Sequence, residues 1–271
     1  MLHHLISLFL LSLLTNKYTS NQIKLLKSKI MDVPIYVSII FILTTILTVA
    51  LFYRACSRVS PTIAHKVLIG LAAWIALQGI LSASDFYMKT DTMPPRLALA
   101  VVPAFIIIIY FLATKKGQNF IDRMPLKDLT VIHICRVPVE IVLFWLFLNE
   151  QIPRSMTFEG RNFDILSGLT ALPLALWAFK NSDVKWTVNL VWNFVCLLLV
   201  LNVVTIGILS APTPFQQFAF NQPNIGVLKF PFVWLPSVIV PIVIFSHLIA
   251  IRQLLNAKKV PSVNFANFST I

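Results

Sequence analysis

The chain has 271 residues, of which 58% are hydrophobic and only 12% charged, and its mean hydropathy is +0.83. A soluble domain is about half apolar and a quarter charged, and here the apolar excess arrives in runs of roughly 18–25 residues, the length of a helix crossing about 30 Å of hydrocarbon. The net charge of +12 is scattered through short connections, with no dense basic stripe and no interleaved aromatic platform, so nucleic-acid binding is set aside.

A transmembrane barrel is also excluded, because its segments alternate over about ten residues. The predicted class is all-α: a polytopic integral membrane bundle of about seven transmembrane helices. Three domains are expected, an extension over 1–30, the helical domain over 31–259 and a tail over 260–271. In the extension, LISLFLLSLL is too short to span comfortably and lacks the basic start of a signal peptide. NQIKLLKSKI has the pattern of a basic interfacial helix. The alternative is that the native chain starts at Met31, and no function is placed in residues 1–30.

The predicted spans are Val33–Tyr53, Ile63–Ser82, Leu97–Thr114, Leu129–Asn149, Phe163–Phe179, Trp186–Leu209 and Phe232–Gln253. With Met31 outside, Arg54, Arg58, Lys66, Lys115, Lys116, Arg123, Lys127, Lys180, Lys185, Arg252, Lys258 and Lys259 fall inside. Lys89, Arg96, Arg154, Arg161 and Lys229 fall outside. Twelve against five favours an outer N-terminus and an inner C-terminus. Trp177 and Trp186 then mark the inner interface, and Trp145 and Trp234 the outer one. The expected location is a cell membrane, the cytoplasmic membrane of a bacterium.

The fourth span holds the unusual chemistry. HICRVPVE places His133, Arg136 and Glu140 on one helical face, about 6, 10 and 16 Å beyond Leu129. Asp128 is the expected N-cap, Arg136 and Glu140 form an i,i+4 pair, and Pro138 is expected to kink the helix between them. Ionisable groups at that depth cost several kcal/mol unless paired or wetted, so they should face the bundle interior. The bland reading is a snorkelling arginine and a glutamate acting as structural glue. Depth alone matches Asn189 and Asn193 of the sixth span and His247 of the seventh to the same layer, with His65 and Arg252 at its rim. Asn202 belongs elsewhere, towards the outer side.

Further along, the fifth span follows TFEGRNFD, where Asp164 reads as a helix cap and Glu159 with Arg161 as a solvated pair. Pro231, Pro236 and Pro241 recur through the seventh span, and the latter two free the carbonyls of Phe232 and Ser237. The connection Ser210–Pro231 has no acidic residue and is too apolar to hang in water, so it should fold back over the bundle mouth. GRNFDILSGLTA and FQQFAFNQPNIGVL stand out as distinctive, without a chemistry attached.

Motif chemistry is sparse. There is no HExxH, GxSxG or P-loop, and the seventh span has no lysine for retinal. Cys56, Cys135 and Cys196 lack metal or redox spacing and read as packing residues. No cofactor is expected, although His133 with His247 offers a b-type haem option; zinc or copper lacks a third ligand. The leading expectation is a small-solute or proton-coupled transporter with its polar site between the fourth, sixth and seventh spans. Arg136 would anchor a polar or anionic group and Glu140 would couple, with His133, Asn189, Asn193 and His247 around them. The alternatives are a sensor or partner subunit with a structural polar layer, then a haem-binding or other membrane enzyme. The expected partners are the lipid bilayer and a small polar or anionic solute.

Overall fold

The computed structural model describes residues 33–179 and 185–257. Expectations placed on residues 1–30, Lys180, Lys258, Lys259 and 260–271 lie outside the described residues. Among the described residues there is no strand, and the helices are α1 (Ile35–Ser57), α2 (Pro61–Ala83), α3 (Ala98–Ala113), α4 (Lys115–Ile121), α5 (Leu126–Ile132), α6 (Arg136–Leu148), α7 (Ile165–Trp177), α8 (Trp186–Ser210) and α9 (Val240–Ala257). A 3-10 turn, His133–Cys135, joins α5 to α6, and a π-helical turn, Leu235–Ile239, leads into α9.

Among the described residues, five continuous stretches are long and apolar enough to cross a membrane: Ile35–Ser57, Pro61–Ala83, Leu126–Leu148, Trp186–Ser210 and Leu235–Ala257. The last is the central post, 67% buried within the bundle, whereas Pro61–Ala83 is 17% buried and lies at the periphery. Outward faces are as apolar as inward ones. α1 presents Ile35, Ile39, Leu43 and Ile46, and α8 presents Val191, Val195 and Leu198, all exposed. Water penalises so continuous an apolar exterior; lipid does not.

Two of the seven expected spans differ from a simple crossing. The third breaks at Thr114, whose extended backbone (φ −91°, ψ 142°) turns the chain by 90° into α4. Thr114 Oγ1 accepts the Gly117 N–H at 3.1 Å and so caps the new helix. The apolar part, α3, is therefore only 16 residues. The fifth, α7, has 13 residues because it starts deep in the bundle, as shown below.

The inward stripes follow helical spacing. On α8 they are Asn189, Asn193, Cys196, Val200, Val203, Ile206 and Ser210. On α1, Thr44, Thr45 and Thr48 are buried and donate to the carbonyls of Ile40, Phe41 and Thr44, which hides their hydroxyls within the helix.

Side-chain ties fix the two ends. At one end Asp128 accepts from Arg54 at 2.5 Å and Arg58 at 3.2 Å, Arg252 pairs with Asp122 at 2.8 Å, and the Trp186 indole donates to Leu254 O at 2.5 Å. At the other end Lys229 pairs with Asp85. Asp128 thus sits in the first turn of α5 as an ion-pair acceptor, and the expected N-cap position belongs to Pro125. Glu159 pairs with Arg154 at 3.9 Å, not with Arg161.

The segment after α8 folds back, as its composition requires. Gln222 donates to Phe147 O and Ile152 O, while Ile225 N and Gly226 N donate to Gln151 O, and Val227 and Leu228 are buried. Of the carbonyls freed by proline in the last span, Ser237 O accepts the Trp74 indole N–H at 3.1 Å and Phe232 O accepts Leu235 N at 3.0 Å. The first places a fixed link between α2 and the π turn.

Candidate functional site

Pro138 has no N–H, and its ring crowds the carbonyl four residues earlier, so the turn before it tightens. That turn is His133–Cys135, and the distortion therefore precedes both Arg136 and Glu140 instead of falling between them. Arg136 stands ten residues into the 23-residue stretch Leu126–Leu148, about 15 Å from its start. Its side chain is 2% exposed.

What answers that buried cation is Asp164. Arg136 Nε donates to Asp164 Oδ2 at 2.7 Å, and Nη2 donates to Oδ1, a bidentate fork. Nη2 also donates to Cys196 O at 3.0 Å, and Nη1 meets His247 Nε2 at 3.1 Å. The expected Arg136–Glu140 pair is replaced by this one. The reason is topological: Asp164 immediately precedes α7, so the connection after α6 dips to mid-bundle and α7 begins there as a half-length helix. Gly168 permits the approach, since a Cβ at that position would lie 2.7 Å from Val137 Cγ2 and 2.9 Å from Val137 N.

Glu140, 1% exposed, is held differently. Asn162 Nδ2 donates to Oε1 at 2.7 Å and Oε2 at 2.8 Å, and also to Met156 O at 2.9 Å. Asn162 Oδ1 in turn accepts the Asp164 N–H at 2.9 Å. One neutral amide thus serves both carboxylate oxygens. The formal charges of Arg136 and Asp164 cancel, and Glu140 is left as the uncompensated acid of the cluster.

The depth-matched layer does assemble. His247 Nδ1 contacts Asn193 Oδ1 at 2.8 Å, Asn193 Nδ2 donates to Asn189 O at 2.9 Å, and Asn189 Nδ2 donates to Lys185 O at 3.1 Å. Because Arg136 supplies only donors, His247 Nε2 must accept and Nδ1 carries the proton. This ladder runs from Arg136 to the start of α8. His133 stacks on His247, with ring centroids 3.8 Å apart and planes at 17°, and Trp192 packs edge-on against it. Among the described residues neither nitrogen of His133 has a hydrogen-bond partner. Stacked face to face, the two imidazoles do not present nitrogens to a common iron, so the pair does not fit a haem. Among the described residues no group of three or more His, Cys, Asp or Glu is arranged to hold a metal ion.

The remaining residues lie elsewhere. His65 contacts Pro61 O at 2.7 Å and Arg252 is tied to Asp122, so neither joins the layer. Asn202 donates to Arg161 O at 2.8 Å.

Asn162 and Asp164 join this cluster, and the spacing of polar residues within the apolar runs does not point to either. Their signal is the distinctive stretch GRNFDILSGLTA, in which Asp164 reads as a helix cap with no partner attached.

A cavity of about 110 Å³ opens on this cluster. Val101, Phe105, Val200, Val203 and Val243 form apolar walls, and Arg136, Glu140, Asp164 and Asn224 supply its polar groups. Asn224 is 1% exposed; its Nδ2 donates to Gly207 O at 3.1 Å, and its Oδ1 has no partner among the described residues.

No curated protein and no solved structure matches this chain. A family model described as a domain of unknown function, DUF8737, matches residues 94–255, which takes in α3 to α9 and every residue of the cluster. The chain belongs to that family.

Proposed function

We propose that this is a multi-pass membrane protein in which Glu140 exchanges a proton for a small solute held in the adjoining cavity, in a proton-coupled transport cycle. The observation that carries the reading is the unequal treatment of two acids. Asp164 is locked by a bidentate arginine, whereas Glu140 has one neutral amide and faces the void. A buried carboxylate without a countercharge exists at low cost only when it is protonated or when a cation arrives. Arg136 is less suited than expected to anchor an anion, because both Nη2 hydrogens, Nε and part of Nη1 are already committed.

For topology, we take α3 and the half-length α7 as the two crossings that complete seven, with an outer N-terminus and an inner C-terminus. The inner end is the one bearing Arg54, Arg58, Lys115, Lys116 and Arg252, which supports that orientation by the positive-inside bias. Basic loops on one face also suit a cell membrane. A second reading, a partner subunit whose polar layer specifies helix packing, is favoured by the saturated Arg136–His247–Asn193 ladder alone.

The test is a reconstitution. Proteoliposomes carrying an internal pH dye and an imposed pH gradient are challenged with small amines, amino acids and carboxylates. One class should collapse the gradient with the native protein and not with Glu140→Gln. If no class does so, or if the variant behaves as the native protein, proton exchange at Glu140 is wrong.

A further inference from the structure

We infer that the cavity beside Glu140 takes a small amine, an ammonium group carried on a compact apolar body. This deepens the proton-exchange reading and rests on it.

Three observations converge. First, apart from one Nη1 hydrogen of Arg136, the polar groups left to an occupant are acceptors. Glu140 has only Asn162 as a donor, and Asn224 Oδ1 is buried without a partner on the same cavity. The orientation of the Asn224 amide is fixed, because Gly207 O requires a donor from it. Arg136, the cluster's cation, is turned to Asp164, Cys196 O and His247. Acceptors thus outnumber donors, so an occupant rich in hydrogen-bond donors fits the cavity, and an ammonium brings three.

Second, charge balance asks for one positive charge. Arg136 and Asp164 cancel, so an ionised Glu140 is neutralised by one monovalent cation, and a leaving proton by an arriving ammonium. The exchange conserves the charge of the cluster.

Third, the walls exclude bare metal ions. A hard cation needs about six oxygen ligands, whereas Val101, Phe105, Val200, Val203 and Val243 offer hydrocarbon. Size narrows the class further. An apolar cavity of about 150 Å³ holds a benzene ring, so a void of about 110 Å³ admits a body of about four or five carbons.

Gly207 bounds this body. A Cβ there would meet Met156 Cε at 3.4 Å and Asn224 Nδ2 at 3.6 Å, which is ordinary contact, so a longer side chain would grow into the void without displacing backbone.

Binding of n-propylamine through n-octylamine to the purified full chain is measured by calorimetry and by melting temperature, with n-alcohols and n-carboxylates of equal length as controls. The expected result is an optimum at about four or five carbons for amines, with alcohols and carboxylates about tenfold weaker or worse. Gly207→Leu should move the optimum to shorter chains while leaving amine preferred over alcohol. Glu140→Gln should remove the preference for amine. Selection of carboxylates, the absence of a length optimum, or an unchanged preference in Glu140→Gln each overturns the inference. If carboxylates or amino acids drive proton flux in the proteoliposomes while amines neither bind nor move, the amine is wrong and proton exchange at Glu140 stands.

Discussion

Two cavities lie on opposite sides of one wall. The wall is α3 with the π turn and the start of α9: Val101, Phe105, Pro236 and Ile239 face the smaller void, and Pro103, Ile107, Ser237 and Pro241 face a larger one of about 380 Å³. Phe52, Trp74, Phe111 and Phe245 complete the larger void, and no ionisable side chain other than the buried thiol of Cys56 lines it. The smaller void touches Arg136, Glu140, Asp164 and Asn224. The two differ in chemistry as well as in volume, and the proline-rich turn stands between them.

The largest expected effect comes from breaking the polar side. Arg136→Met leaves Asp164 buried without its cation, which should lower stability by about 3–5 kcal/mol, read by denaturant or thermal unfolding in detergent. A loss below about 1 kcal/mol would mean that water reaches Asp164 and that the cluster is not enclosed. On the apolar side, Trp74→Phe removes the indole donor to Ser237 O and should cost about 1–3 kcal/mol while leaving amine selection at the smaller cavity intact. If amine selection falls with it, the two cavities are not separate.

The smallest effect is expected at His133. Its ring is buried and stacked, yet its nitrogens hold no hydrogen bond, so His133→Phe forfeits packing detail only, less than about 1.5 kcal/mol. Loss of proton flux in that variant would make His133 part of the proton route.

Much of this was legible in the sequence for a physical reason. Ionisable groups are rare in apolar runs, so HICRVPVE announced itself, and rise per residue placed Asn193 and His247 at the same depth. The freed carbonyl of Ser237 followed from Pro241. What stayed hidden was long-range pairing. Arg136 takes its bidentate carboxylate from another segment and not from Glu140 one turn away, and helical spacing along the fourth span carries no signal of that distant partner. Nor does hydropathy say that a loop such as TFEGRNFD turns inward; only the buried cation it neutralises explains that course. The seven apolar runs likewise looked equivalent, although one starts at mid-bundle and another bends at Thr114.

The proposed division of labour has Glu140 exchanging protons and Asp164 holding its charge against Arg136. Infrared difference spectra between acidic and alkaline buffer, native minus Glu140→Gln, test it directly. Proton exchange at Glu140 requires a carboxylic C=O band that shifts in heavy water, titrates with bulk pH and is absent from the variant. A native spectrum with no such band, or a band unchanged by Glu140→Gln, would contradict it.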